Sequence, residues 1–319
     1  MRLALALLLL ALAAAPPAAG AAAAPASGAA AGAFFVPGRA RAYGSLQAAV
    51  SAIGEGGGTI LIAPGRYRQC AVQEGGEIAF VAREAGSVVL DGVACEGKAA
   101  LVLRGRGARV EGLIFQNLRV ADANGAGIRL EQGNLIVRDS LFRDSESGIL
   151  SGNDRGGYIL VERSTFSGLG RCDRGLDCAH AIYIGGYGRL VVRQSRFERG
   201  RGGHYVKSRA ARIEVTDSSF DDSAGHLTNY MIDLPNGATG RIAGNVFVQG
   251  RDKENSSAFI AVAAEGVVNR SAGLAIDGNA AEMAPGMREP SAFVADFTGE
   301  GIRIESNRLA PQIARYERR

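Results

Sequence analysis

One apolar–polar pattern recurs along the chain and each time closes on a phenylalanine. ARVEGLIF ends at Phe115, LIVRDSLF at Phe142, ILVERSTF at Phe166, LVVRQSRF at Phe197, IEVTDSSF at Phe220 and RIAGNVF at Phe247; LAIDGNAA and IRIESNRL follow as weaker copies. Each segment alternates apolar and polar residues, as a half-buried strand does. The spacing of about 23–31 residues is that of a solenoid coil. A single coil cannot bury its apolar side, whereas stacked coils bury it against one another. The composition suits narrow core layers: there is no tryptophan, and there are 45 glycines.

A second strand precedes each copy by about fourteen residues: GIRL, GILS, AIYI, YVKS, MIDL, FIAV and FVAD. Aligned, these put Ile128, Ile149, Ile182, Val206, Ile232, Ile260 and Val294 in one inward column. The amino-terminal stretch fits the same scheme. Ser45 is placed to cap a helix in which Leu46, Ala49, Val50 and Ile53 share one face. That helix ends at the glycines from Gly54 to Gly58, before the strand TILIAPG, and would cover the first coil's open edges. An antiparallel sandwich is the rival architecture, but it needs regular Asn-Gly or Asp-Gly hairpin turns, which are scarce.

The amphipathic LQAAVSAI, then GGGTILIAPGRY, then the repeated V/I-x-x-x-S-x-F strands resemble the pectate-lyase-like family. Over residues 44–309 the resemblance implies an all-β fold, a right-handed parallel β-helix with a short amino-terminal capping α-helix. Right-handed crossovers are also the rule between parallel strands.

The ends read differently. Met1, Arg2 and the run LALALLLLALAAA form a secretory signal peptide pattern over residues 1–24. Residues 25–40 are expected to be low-complexity and disordered. Residues 41–310 form the single β-helix domain, and 311–319 a carboxy-terminal tail. No other segment is apolar enough to span a bilayer. The expectation is an exported monomer, periplasmic or extracellular. Four cysteines in an exported chain suggest disulfides. Cys172 and Cys178 enclose the loop DRGLD and pair readily, which leaves Cys70 with Cys95, about one repeat apart.

Among 36 lysines and arginines only Lys98, Lys207 and Lys253 are lysines, and there are 3 histidines. The stretch GGHYVKSRAARIEV carries His204, Lys207 and Arg209 together. Residues next to the inward column point outward. They read Arg129, Leu150, Tyr183, Lys207, Asp233, Ala261 and Ala295. With coils about 4.8 Å apart, Tyr183, Lys207 and Asp233 should stand side by side on an open face. Arg209 shares their parity. His180 and Tyr230 lie in register with His204, one coil either side.

A lysine suits a base better than an arginine, because an ammonium releases its proton when positive neighbours lower its pKa. Arg209 and the surrounding basic patch push Lys207 that way, and Asp233 pushes the other way. The chemistry such a base serves is proton abstraction alpha to the carboxylate of a uronic acid. Lys207-Ser208 and the strand that follows resemble the lysine strand of alginate and chondroitin lyases of this fold. That resemblance implies Lys207 as base, an arginine on a neighbouring coil and often calcium nearby, although Asp233 stands where an arginine- or histidine-bearing strand would be expected.

The roles that follow are Lys207 as base, Arg209 neutralising the carboxylate, and Tyr183 or His204 as acid. Asp233, His180, Tyr230 and Asn236 would contact an acidic polysaccharide. No cofactor is expected, apart from the calcium that Asp221 and Asp222 together could hold. A structural salt bridge between Lys207 and Asp233, in a β-helix that only binds polysaccharide or builds an envelope, is the competing reading. The basic patch has too few interleaved aromatics for single-stranded nucleic acid.

Overall fold

The computed structural model describes residues 32–173, 175–287 and 289–319. The expected signal peptide, 1–24, lies outside the described residues, as do residues 25–31.

Three strands make each coil, and each strand stacks on its counterpart one coil away. Among the described residues the result is three long sheets of 11, 11 and 10 strands, in which, away from the two ends, every third strand is a neighbour. The inter-coil pairings are parallel and in register: Phe142 stands beside Phe115 and Phe166, and Phe197 beside Phe220. The chain is therefore a parallel β-helix with a narrow apolar interior.

The repeated Phe column fills that interior. From Phe115 through Phe142, Phe166, Phe197 and Phe220 to Phe247, neighbouring ring centroids lie 4.8 to 4.9 Å apart and nearly parallel. Each stacked pair adds about 0.5–1.5 kcal/mol beyond its buried area. The repeated serine two residues earlier has its own task at the bend. The backbone N–H of Ser140 donates to Ser164 Oγ, Ser164 to Ser195 and Ser195 to Ser218. Asn245 and then Asn279 continue the ladder. The preceding residue takes a left-handed conformation, with φ of 49° at Asp139 and 51° at Asp217, and Gly244 assumes the role at 66°. The V/I-x-x-x-S-x-F motif is thus a strand, a left-handed bend and a hydrogen-bonded corner.

The helix Leu46–Ile53 packs on the first coil. Ser45 caps it by accepting from the Ala48 N–H at 3.2 Å, and Leu46, Ala49 and Val50 are buried.

The ordered fold extends past the expected limits of 41 and 310. Phe34–Phe35 pairs antiparallel with Leu61–Ile62, and Phe34 is fully buried against the Tyr67 ring. That apolar anchor orders the part of the 25–40 segment that is described. At the other end Ile313–Ala314 and Glu317–Arg318 both add to the strand Ser291–Asp296, so residues 311–319 are part of the sheet. Both expected disulfides are present, Cys70–Cys95 and Cys172–Cys178.

Candidate functional site

The strands Ile182–Ile184, Val206–Ser208 and Ile232–Leu234 are consecutive rungs of one sheet. Ile182, Val206 and Ile232 pair in register and are fully buried inside the helix. Side-chain alternation then sends Tyr183, Lys207 and Asp233 out of the same face as direct neighbours. Lys207 Nζ reaches Asp233 Oδ2 at 3.0 Å.

This face is roofed where the alternation pattern suggested an open one. After the strand Ala258–Val262 the chain turns back over the preceding coil. The Glu265 N–H donates to Pro235 O at 2.9 Å, and those of Val268 and Asn269 donate to Asn236 O at 3.0 and 2.9 Å. Glu265 is thereby hung above the ladder. Its Oε1 lies 2.6 Å from Lys207 Nζ, and its Oε2 lies 2.5 Å from Arg209 Nη2. Arg209 also donates from Nε to the Tyr183 hydroxyl at 3.0 Å and from Nη1 to Asn236 Oδ1. Tyr183, Lys207, Arg209, Asp233, Asn236 and Glu265 therefore form one continuous polar cluster.

The electrostatics decide between the two opposing pushes on Lys207. Burial alone would lower the Lys207 pKa, but Asp233 and Glu265 more than offset it, and the ammonium stands above the usual lysine value. Glu265 lies between the two cations and offsets the repulsion between them. Burial raises the Asp233 carboxyl above its ordinary range in spite of Lys207. Asp233 Oδ1 is buried without a hydrogen-bond partner. Burial also works against the Glu265 carboxylate, yet the hydrogen bonds from Lys207 and Arg209 hold it below the usual range.

The other sequence-predicted residues sit deeper. His180 and His204 are both more than nine-tenths buried. The His204 N–H donates to His180 Nδ1 at 3.0 Å, so His180 carries its own proton on Nε2. Burial, with Lys207 nearby, pulls His180 down to about 3, and burial with His180 beside it holds His204 well below the ordinary range. Both rings are neutral near pH 7. His204 Nε2 lies 3.5 Å from Asp233 Oδ2, so this pair sits deeper than Tyr183, which is half-buried. Tyr230 is buried with Ala258, Ala261, Ala292 and Ala295, where the outward column turns apolar and is covered.

Asp222 is fully buried and does not fit calcium. Its carboxylate accepts from the Tyr205 hydroxyl at 2.7 Å and the Thr228 hydroxyl at 2.7 Å, and pairs with Lys253 Nζ at 3.0 Å. An ammonium already neutralises it. Asp221 meanwhile accepts from Ser223.

Glu265 and Lys253 are the residues that sequence reasoning missed. Neither lies in a repeated column, and each reaches its partners through a loop. Beside Arg209 a groove of about 350 Å³ opens, bordered by Asn153, Arg155, Asn236 and Val268.

Fold and site together define a parallel β-helix that carries a lysine–arginine pair, matched by two carboxylates, on one sheet. Residues 99–307 match the family described as the right handed beta helix region, and the chain belongs to that family. No curated protein sequence matches it. Among solved structures, that of the PL6 family alginate lyase AlyGC is similar, with a TM-score of 0.53 at 14% sequence identity. The likeness, which is one of fold, covers 79% of this chain and 36% of the lyase chain.

Proposed function

We propose that the chain is an exported β-helix protein that abstracts a proton from a uronate-containing polysaccharide, as a lyase or an epimerase. The observation that carries this reading is the pair Lys207 and Arg209 gripping a single carboxylate, with the Tyr183 hydroxyl on the same guanidinium. Such a pair suits a uronate. Arg209 neutralises the sugar carboxylate, which acidifies the adjacent C–H, and Lys207, once its ammonium has released a proton to solvent, is the base that takes up the C–H proton. Tyr183, on the preceding coil, protonates the leaving oxygen in elimination or the opposite face of the carbon in epimerisation. Asn236 orients the guanidinium, and Asp233 holds the lysine in the ladder. The similar fold of an alginate lyase, an enzyme of an acidic polysaccharide, accords with this substrate class. Two disulfides and the apolar amino-terminal run support export. Among the described residues no helix is long and apolar enough to cross a membrane.

The test is a panel of uronate polymers, followed by the absorbance of unsaturated product and, for epimerisation, by solvent deuterium entering the sugar ring in NMR spectra. No change in any polymer would remove the catalytic reading. A second reading, a β-helix that binds acidic polysaccharide without turning it over, is favoured by the two carboxylates that keep Lys207 charged.

A further inference from the structure

Whatever binds Lys207 and Arg209 from outside must first compete with Glu265. That carboxylate spans the two cations, one oxygen on each. It is also the most exposed of the ionised members: its side chain is 44% exposed, against 27% for Arg209, 11% for Lys207 and 4% for Asp233. Its loop is tied down through backbone bonds at Glu265, Val268 and Asn269. The side chain can therefore swing away by rotating about its own bonds while the loop stays in place. Without it, the cluster holds two cations and one buried carboxylate, Asp233. One positive charge is then unmatched, and one further carboxylate restores the balance.

We propose that the seat between Lys207 and Arg209 takes one free, unesterified sugar carboxylate, and that Glu265 fills this seat as an internal stand-in until such a ligand displaces it. The inference rests on the uronate reading above and narrows it to the free acid. A methyl ester is the same size but carries no charge, so it cannot replace Glu265 between an ammonium and a guanidinium. Charge-assisted hydrogen bonds are the strong ones, and a neutral carbonyl forfeits that advantage. The groove beside Arg209 gives the rest of the sugar somewhere to lie. The exchange also acts on Lys207. When Glu265 leaves and the sugar carboxylate takes the seat, the ammonium keeps Asp233 and exchanges a carboxylate of its own chain for one of the ligand.

The experiment is calorimetric titration of the full chain, as wild type, Glu265→Gln and Glu265→Ala, with trisaccharides of galacturonic, mannuronic and glucuronic acid and with the methyl ester of the first. The chain has only three lysines, so their side-chain nitrogens can be labelled and followed by NMR in the same samples. Both variants should bind at least one free acid about tenfold more tightly than wild type, with the Lys207 signal moving on binding and the ester bound at least tenfold more weakly than its acid. Equal affinity of wild type and both variants overturns the stand-in, as does an ester that binds as well as its acid, or no binding by any form. Turnover in these samples separates the two claims. Tight, acid-specific binding without product removes the catalytic reading and leaves the seat, whereas product formed with Glu265-independent binding does the reverse.

Discussion

Lys207 and Glu265 are 58 residues apart in the chain, yet Nζ and Oε1 meet at 2.6 Å. The contact crosses two coils and joins a strand residue to a loop residue. It makes the lysine a charged, positioned group in the resting protein, so charge and basicity at this position can be separated by substitution. Lys207→Arg keeps the positive charge toward Glu265 or a substrate carboxylate but cannot release a proton near neutral pH. In the catalytic reading, Lys207→Arg should hold its affinity for uronate oligomers within severalfold while its turnover falls by about 10²–10⁴. Binding by calorimetry and product by absorbance, measured side by side, check this. An arginine variant as active as wild type would exclude Lys207 as the base.

The buried histidines predict a pH dependence of stability. His180 titrates at about 3 in the folded protein, well below its ordinary 6.5. Above pH 6.5 both folded and unfolded chains keep it neutral, and its full contribution is present. As the pH falls from 6.5 toward 3, the unfolded chain takes up a proton that the native one refuses, and stability is lost. His204 adds in the same direction. In His180→Asn the amide oxygen can still accept from the His204 N–H, and the titrating ring is gone. The fall in melting temperature between pH 7.5 and pH 4.5 should be smaller in that variant than in wild type. The same fall in both would show that His180 is not a source of the acid sensitivity.

Parallel stacking explains why so much of the ladder is legible in the sequence alone. In-register coils turn a repeat offset directly into adjacency, so Tyr183, Lys207 and Asp233 could be set side by side from the alignment of AIYI, YVKS and MIDL alone. Alternation gives the direction of a side chain but not what lies over it. Alternation turns Lys207 outward but does not reveal its cover, which comes from the segment after Val262, whose path follows loop geometry rather than a period. Glu265 left no mark beyond being an acid in an irregular connection, and Lys253 none beyond the scarcity of lysine. The pairing of Phe34–Phe35 and of the carboxy terminus is hidden for a similar reason. Two-residue strands such as Phe34–Phe35 are too short to show alternation.

The phenylalanine column carries a direct test of the fold. Phe197 lies in the middle of the stack, with Phe166 at 4.9 Å and Phe220 at 4.8 Å, and is fully buried. Phe197→Ala removes its buried area and both stacking partners, and should cost about 3–5 kcal/mol. Phe197→Leu, which refills most of the volume, should recover much of that. Chemical denaturation of the two variants measures the difference, and a loss below about 1 kcal/mol for the alanine variant would mean that the interior is not packed as described.

Asp222 and Lys253 form a second buried ion pair, with almost no side-chain exposure on either partner. The two are not equivalent. The Asp222 carboxylate gathers the Tyr205 hydroxyl, the Thr228 hydroxyl, the Gly250 N–H and the Lys253 ammonium. Lys253 has Asp222, Thr228 and the Asn229 carbonyl, and burial already lowers its pKa despite the carboxylate beside it. Removing the lysine leaves a carboxylate that still accepts three hydrogen bonds. Removing the carboxylate strands three donors and a buried ammonium, although that ammonium can shed its proton. Breaking a buried pair from one side typically costs about 3–5 kcal/mol, and here Asp222→Ala should lie at the upper end and Lys253→Met below it. In the double variant the losses should fall short of their sum, because each single change already spoils the contact that the other would remove. The pair also fixes the segment that carries Asn229 and Tyr230 against His204, so the single variants should loosen the floor beneath Lys207 and Asp233. Hydrogen exchange at Tyr230 and His204 should quicken in both, while exchange at Phe115, several coils away, stays as in wild type. Equal losses for the two single variants, or strict additivity in the double, would show that the four-donor carboxylate is not the centre of this cluster.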